Sequence, residues 1–452
     1  VCMGHPGTLP MINEEAVKKV ITAGLALDGT IPEFSQFDRK NYFYPDLPKG
    51  YQISQYQHPL VSGGELKLKT RAGRGRKIRI RRIHLEEDTG RLIHDRETGS
   101  SLVDFNRAGV PLMELVTEPD LTSGEEVKTF GEELQKILRY LGVSDADMEK
   151  GEMRVEVNIS LRKSGAGNGE LGTKVEIKNI NSFKFAAEAV DYEVKRQTEI
   201  LERGEKVAQE TRGWNENKGA TFPQRSKEEA HDYRYFPEPD LPPLKISREM
   251  IEELRARLPE LPEAKIKRLI TEYKIPEATA ILLTRNSALA DYYEKVVSEA
   301  KQHKTGSGGK PQKRLEEIAA FFLTGEFLRM LNNTGASVAD TRVTPENFGE
   351  LVVYAAEERI SNLAAKTVLE EMFQAGGDPS EIIERLGLWQ MSDSRDLEDI
   401  ARHILEENPQ ATEDYKKGKE ASLQFLVGQI MKESRGKANP KTAQKIIKKL
   451  LQ

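Results

Sequence analysis

The stretch HDYRYFPEPDLPPLKIS, residues 231–247, separates two textures of chain, and its reading decides the fold. Prolines at 237, 239, 242 and 243 fix φ and remove backbone donors, so the segment reads as a rigid connector. Upstream, the sequence alternates with period two. KIRIRRIHL (77–85), RVEVNISLR (154–162) and TKVEIKNI (173–180) carry β-branched residues at alternate positions, the pattern of half-buried strands. The glycine-rich KSGAGNGELG (163–172) between the last two suits the loop of a long hairpin. Downstream, the periodicity is that of helices. SREMIEELRARL (247–258) leads into proline-punctuated helical segments, a loop at 303–313, and a short terminal unit from about residue 390.

Helices also interrupt the strand-rich part. SGEEVKTFGEELQKILRYLG (123–142) opens with the Ser123/Glu126 pattern of a capping box. It places Val127, Phe130, Leu134, Ile137, Leu138 and Leu141 on one face and stops at Gly142. A second helix is expected over about 184–203, before Gly204. The expected fold class is therefore α+β. A mostly antiparallel, sheet-rich domain spans 1–246, an all-α domain 247–387, and a small helical tail 388–452.

Bulk properties narrow the function. At 452 residues with 37% hydrophobic and 31% charged residues, the chain is globular and long enough for several domains. A net charge of −5 argues against a uniformly basic nucleic-acid coat, while leaving room for local basic patches. Cys2 is the single cysteine, so an intrachain disulfide is excluded and a reducing compartment is expected. No apolar run approaches the roughly 20 residues of a membrane helix, so no membrane partner is expected. The chain opens VCMGHPGTLP without an initiator Met and reads as lacking its true N-terminus.

Acids sit in or at the end of apolar strand-like runs: the triple Glu86, Glu87, Asp88 of HLEED (84–88), Glu114 in VPLMELV (110–116), Glu156 in RVEVNIS and Glu176 in TKVEIKN. If the last two strands pair as a hairpin, Glu156 and Glu176 fall near each other on one polar face. Like charges there need solvent, neighbouring Lys and Arg, or a bound cation. Two readings stay open: a solvated face laced with salt bridges, or a divalent cation held by carboxylate oxygens, with Mg²⁺ favoured if phosphates complete the shell. His84 and His94 fall at no two-His metalloprotease spacing and read as strand-surface or hydrogen-bonded residues. Walker, dinucleotide-loop and nucleophile-elbow patterns are missing, so a nucleotide site here is built on a sheet. FDRKNYFYPDLPKGYQISQY (37–56) gathers Arg39, Lys40, Asn41, tyrosines and amides. It reads either as a surface loop with packed aromatics or as a substrate-lining segment, with Lys40 as a phosphate-facing point charge. Residues 411–452 hold ten Lys or Arg against four acids, a net of +6 on an acidic chain. That suits either a solvated helix face or contact with a phosphate backbone.

Together, SLVDFNRAGVPLMEL (101–115), FDRKNYFYPDLPKGYQISQY, HLEED, EIKNINSF (176–183) and HDYRYFPEPDLPP (231–243) resemble, in order, the motifs of the B subunits of tRNA-dependent amidotransferases, the GatB/GatE family. The resemblance spans essentially the whole chain. It implies a sheet-rich cradle, a helical domain and a YqeY-like tail. It also implies a cytoplasmic heterotrimer with an amidase A subunit and a small C subunit, acting on Glu-tRNA(Gln), Asp-tRNA(Asn) or both. The activity implied is ATP-dependent phosphorylation of the side-chain carboxylate on the tRNA, followed by amidation with ammonia from the amidase. By the same resemblance Glu87, Glu114, Glu156 and Glu176 hold Mg²⁺, with Glu86 and Asp88 as lesser candidates beside Glu87. Lys40 and Arg39 meet ATP, Lys40 and Glu87 act in the chemistry, and Lys432, Lys437, Lys441 and Lys445 meet tRNA. Two departures accompany it: the family's acid-x-His metal pair lies upstream of Val1, and Glu156 stands where Asp is usual. The rival reading is a non-catalytic tRNA-binding scaffold.

Overall fold

The computed structural model describes the chain apart from residues 70–74, 96, 163–170, 227–232, 304–313, 391–393, 435–436 and 452. The chain forms two compact units, Val1–Leu261 and Pro262–Gln452. The first is sheet-rich with mostly antiparallel pairing and the second is helical, in keeping with an α+β fold.

The backbone of the first unit is the long strand Gly75–Glu87, which pairs antiparallel with Val61–Ser62, Glu65–Lys69 and Pro111–Thr117. In its first half the alternation is simple: Ile78 and Ile80 are buried in the core while Arg79 and Arg81 are exposed. Against Pro111–Thr117 the register then slips, with Ile80 facing Thr117 and Arg82 facing Val116. Arg81 is thus the extra residue of a β-bulge, and a bulge re-aims every side chain after it. Past it the odd positions Ile83 and Leu85 enter the same core. Arg82, His84 and Glu86 are left on the opposite face, with Glu114 directly across from His84.

A second sheet runs in the order Val155–Ile159, Val175–Ile180, Glu210–Asn215, Ala220–Ser226. Its first two strands pair antiparallel, as a hairpin requires. The intervening 163–170 lie outside the described residues. Val175–Ile180 and Glu210–Asn215 are parallel, joined across the helix Phe183–Glu202, the crossover that parallel strands need. That helix packs on Gly124–Tyr140. A Cβ at Gly124 would meet the Ala187 carbonyl, and one at Gly131 the Phe183 ring, so two glycines set the close approach. At the start of Gly124–Tyr140 the Ser123 hydroxyl accepts from the Glu126 amide at 3.2 Å. The Glu126 carboxylate, however, accepts from the Thr122 amide at 2.7 Å and pairs with Arg76. Half of the expected capping box is therefore formed one residue away.

The proline-rich 231–247 stretch is no free connector. Phe236–Pro237 pairs with Asp38–Asn41, and Leu244–Lys245 pairs with Phe34–Ser35. Short strands of this kind tolerate proline because few ladder donors are required of them. The first unit then continues past 246 to Leu261, because Met250, Ile251 and Leu254 of helix Arg248–Ala256 pack on its core.

In the second unit, helices between Pro262 and Leu386 surround a core of Tyr293, Phe322, Phe327 and Phe348. A separate small core, from Leu397 to Ile447, holds the tail helices together. Among the described residues, no helix is long and apolar enough to cross a membrane.

Candidate active site

The face exposed by the bulge carries the site. One donor atom each from His84, Glu86 and Glu114 lies within 4.8 Å of the others. His84 Nε2 is 3.6 Å from Glu86 Oε2, and His84 Nδ1 is buried with no hydrogen-bond partner among the described residues. The Ser54 hydroxyl donates to Glu86 Oε2 at 2.9 Å. Burial alone would raise the Glu86 pKa. The His84 hydrogen bond, the Lys40 charge and the Ser54 hydroxyl outweigh it and hold the carboxyl below its ordinary value. The site therefore keeps a buried, ionised carboxylate. His84 is no strand-surface residue: it is 2% exposed, and its orphaned nitrogen is a costly group to bury without a purpose.

Lys40 and Arg39 are consecutive on the strand Asp38–Asn41 and so point to opposite faces. Lys40 Nζ lies 5.3 Å from the Tyr233 ring centroid and 6.0 Å from that of Tyr42, and its charge reaches Glu86. Arg39 turns away. Its Nε and Nη2 donate to the two carboxylate oxygens of Glu238 at 2.9 and 2.8 Å, and its guanidinium sits 4.2 Å from the Tyr51 centroid. This bidentate fork onto a fully buried carboxylate ties the 231–247 stretch to the sheet and leaves Arg39 committed there.

Glu87 faces away from Glu86. Its Oε1 accepts from Lys49 Nζ and from the Ile53 amide at 2.9 Å, and Cys2 Sγ is 3.7 Å from its Oε2. The Lys49 side chain is 6% exposed, and a lone Lys between Pro48 and Gly50 gives no sequence signal of that partnership. Glu156 sits at an irregular step of its strand, so Asn158 stands opposite Glu176. Their carboxylates still converge, on Lys178 Nζ at 3.4 and 3.7 Å, and the Thr211 hydroxyl donates to Glu176 at 3.0 Å. Burial opposes the charge on Lys178, but the two carboxylates overcome it and raise its pKa. Of Glu87, Glu114, Glu156 and Glu176, only Glu114 lies in the close cluster, which His84 and Glu86 complete.

The cluster's chemistry fits a divalent cation: two carboxylates, an imidazole, and a buried nitrogen without a partner. Phosphate oxygens and water suit the rest of a Mg²⁺ shell, although imidazole is a softer ligand than that ion prefers. In the tail, Lys432 and Lys445 are exposed, Lys437 is half-buried, and Lys441 Nζ lies 3.6 Å from Glu358.

Residues 1–252 match the family described as GatB/GatE catalytic domain, and residues 291–451 that described as GatB domain. The chain is 49% identical over 451 residues to the B subunit of the aspartyl/glutamyl-tRNA(Asn/Gln) amidotransferase of Caldanaerobacter subterraneus, covering 100% of this chain and 91% of the relative. It is 46% identical over 455 residues to the protein of the same name from Caldicellulosiruptor saccharolyticus, covering 100% and 92%. With that of Thermotoga petrophila it shares 45% over 456 residues, covering 100% and 91%. The ordered motifs, the two matched domains and this end-to-end likeness agree: the chain belongs to the GatB/GatE family of tRNA-dependent amidotransferase B subunits.

Proposed function

We propose that the chain is the activating subunit of an amidotransferase complex that includes an amidase and a small C subunit. Its substrates are Glu-tRNA(Gln), Asp-tRNA(Asn) or both. A side-chain carboxylate resists ammonia because it lacks a leaving group. In the proposed reaction a carboxylate oxygen attacks the γ-phosphorus of ATP, the bond to the β–γ bridging oxygen breaks, and ADP departs. Ammonia supplied by the amidase then adds to the acyl carbon, phosphate leaves with the C–O electron pair, and the nitrogen gives up a proton to yield the amide.

Phosphoryl transfer of this kind depends on positioning and charge neutralisation. Lys40 supplies a fixed cation held against the Tyr233 and Tyr42 rings beside Glu86. Glu86, Glu114 and His84 are the residues that would hold Mg²⁺, whose contribution is to neutralise charge on the transferring phosphoryl group. Lys178, bridging Glu156 and Glu176, adds a second cation whose field reaches Tyr233. The exposed tail lysines suit phosphate-backbone contacts that position tRNA without reading its sequence. The observation that carries the reading is the buried carboxylate–imidazole cluster: a scaffold that only bound RNA would gain nothing from acids where phosphates approach.

The test uses the reconstituted three-subunit complex, following ATP conversion to ADP with Glu-tRNA(Gln), with tRNA affinity measured alongside. Glu114→Gln is expected to lower ADP formation by about 100-fold or more, the scale seen when a group stabilising transition-state charge is lost, with tRNA affinity unchanged. Unaltered ADP formation would leave the chain a scaffold.

A further inference from the structure

Arg82 stands apart from the other arginines of its strand. Arg76, Arg79 and Arg81 are all ion-paired, to Glu126, Asp120 and Glu118. Arg82 lies on the strand's other face with His84 and Glu86, and no carboxylate among the described residues pairs with it. Its Nε is buried with no hydrogen-bond partner, and its Nη1 makes only a long 3.4 Å contact to the Tyr56 carbonyl. The guanidinium carbon sits 5.4 Å from the Tyr56 ring centroid. Tyr56 in turn stacks on Tyr235 at 4.4 Å with the rings 12° from parallel. Burial chiefly raises the Tyr235 pKa; Glu86 and Glu114 raise it further and Arg82 opposes them, so the tyrosine stack and the cluster border one space.

A guanidinium carries five donors in a fixed fork, and a cation left without a counter-ion in a half-buried position is destabilising. Stacking on Tyr56 fixes the plane of the fork but satisfies none of its N–H groups. Glu86 and Glu114 lie on the same face, yet neither pairs with Arg82; the Ser54 hydroxyl and His84 Nε2 both meet Glu86 Oε2, at 2.9 and 3.6 Å. The partner that fits such a fork is an oxyanion with two oxygens in a plane.

We propose that Arg82, braced on the Tyr56–Tyr235 stack, is a substrate-binding residue that receives an oxyanion of the reacting substrates. The ligand chemistry is a carboxylate or phosphoryl group presented beside the His84–Glu86–Glu114 cluster. Two sources offer it: the aminoacyl side-chain carboxylate and the phosphates of ATP. A bidentate hold on either would place the reacting oxygen relative to the cluster, which Lys40, a point charge, cannot orient. The inference rests on the phosphorylation reading above.

The experiment uses the reconstituted complex with Arg82→Gln and Arg82→Lys, measuring ADP formation, KM for ATP, and the affinities for Glu-tRNA(Gln) and for uncharged tRNA(Gln). Glutamine hydrolysis by the amidase and the melting temperature report assembly. Arg82→Gln is expected to lower ADP formation roughly 10–100-fold, the worth of a hydrogen bond to a charged group. If the carboxylate is the ligand, the preference for charged over uncharged tRNA disappears while KM for ATP holds. If the ligand is a phosphate, KM for ATP rises and the tRNA preference stays. Arg82→Lys keeps the charge and most of the packing but loses the fork, so it is expected to show the same defect in weaker form. That variant decides the matter if Arg82→Gln fails to assemble. Assembled variants matching the wild type in ADP formation and both affinities would overturn the inference, leaving Arg82 as a cover for Tyr56. A wild-type complex that makes no ADP would instead overturn the phosphorylation reading, and this inference with it.

Discussion

The two units spend their interiors differently. Val1–Leu261 buries charge and hydrogen-bonding groups: Asp38, His84, Glu86, Glu193, Arg212 and Glu238 are all buried. In Pro262–Gln452 the fully buried large side chains are rings and aliphatics, Tyr293, Phe322, Phe327 and Phe348 among them. Burying polar groups is costly unless each is partnered, and the first unit contains both outcomes. Glu193 accepts from Arg196 at 2.9 Å and from Gln197 at 3.1 Å, and lies 3.1 Å from Arg212 Nε. Glu238 is forked by Arg39. Both carboxylates are fully paired and hold the sheet in shape, although Gln197 Oε1 and Trp214 Nε1 stay buried without a hydrogen-bond partner among the described residues. His84 Nδ1 and Arg82 Nε are buried and unsatisfied, on one face of one strand. The contrast separates polar burial that stabilises a fold from polar burial kept for a ligand.

The comparison can be broken by stability measurements that read each unit on its own. The chain has two tryptophans, Trp214 in the first unit and Trp389 in the second, so single-tryptophan variants report separately on urea unfolding. Phe348→Ala, followed at Trp389, is expected to cost about 3–5 kcal/mol from lost packing and the cavity left behind. Glu193→Gln, followed at Trp214, is expected to cost a similar amount, about 3–5 kcal/mol, because Arg196 and Arg212 lose their buried counter-charge.

What distinguishes these two losses is pH. Burial would raise the Glu193 pKa, but hydrogen bonds from Arg196, Thr221 and Gln197 hold it below the ordinary glutamate value. Its stabilisation is therefore complete above that ordinary value and is lost as pH falls through the lower folded one. The gap between wild type and Glu193→Gln should close below about pH 4, whereas a pure cavity cost such as that of Phe348→Ala carries no such titration. A gap that persists into acid would show the network to be packing rather than charge.

Smaller in energy is the effect of Glu86→Gln. Because the fold holds the Glu86 carboxyl below its ordinary value, the substitution is expected to cost some Trp214-reported stability, less than Glu193→Gln since no arginine loses its counter-charge, while lowering ADP formation at least roughly 10–100-fold, the range for disturbing a metal-site partner. A large stability loss instead would place Glu86 with Glu193 as a structural group. Smallest is the tail. Replacing Lys432 and Lys445 by Ala together should reduce the salt slope of tRNA binding by about one for each phosphate no longer neutralised. An unchanged slope would mean that these exposed lysines are only solvated.

Much of this was legible in the sequence. Ser123 and Gly142 bound their helix, period-two runs gave the strands, and the acids of those strands pointed to a sheet-built site. What escaped was parity. Counting forward from Ile78 and Ile80 puts His84 and Glu86 on the core face and singles out Glu87; counting back from Leu85 and Ile83 does the reverse. The signal for the slip is the double arginine at 81–82, where alternation stutters. Glu156 is displaced by a similar irregularity. The two-residue strands at 236–237 and 244–245 are too short to show any period, so the connector's pairing is invisible without the fold. The Lys49–Glu87 pair joins residues far apart in sequence, and no local pattern encodes it.

Arg81 itself is exposed and forks onto Glu118 at 2.9 Å, a surface pair whose replacement should cost little. In register its removal would be as mild. Excising that one residue would only remove the extra position: Ile80 and Arg82 would face Thr117 and Val116 in unbroken alternation, with Ile83 and Leu85 still in the core and His84 and Glu86 still on the opposite face. Past the bulge, the strand stores the address of the site in a tally of residues rather than in the chemistry of any one of them. At the bulge, then, the column tolerates any polar letter and even a gap, whereas one residue gained or lost between Arg82 and Leu85 would turn the site toward the core.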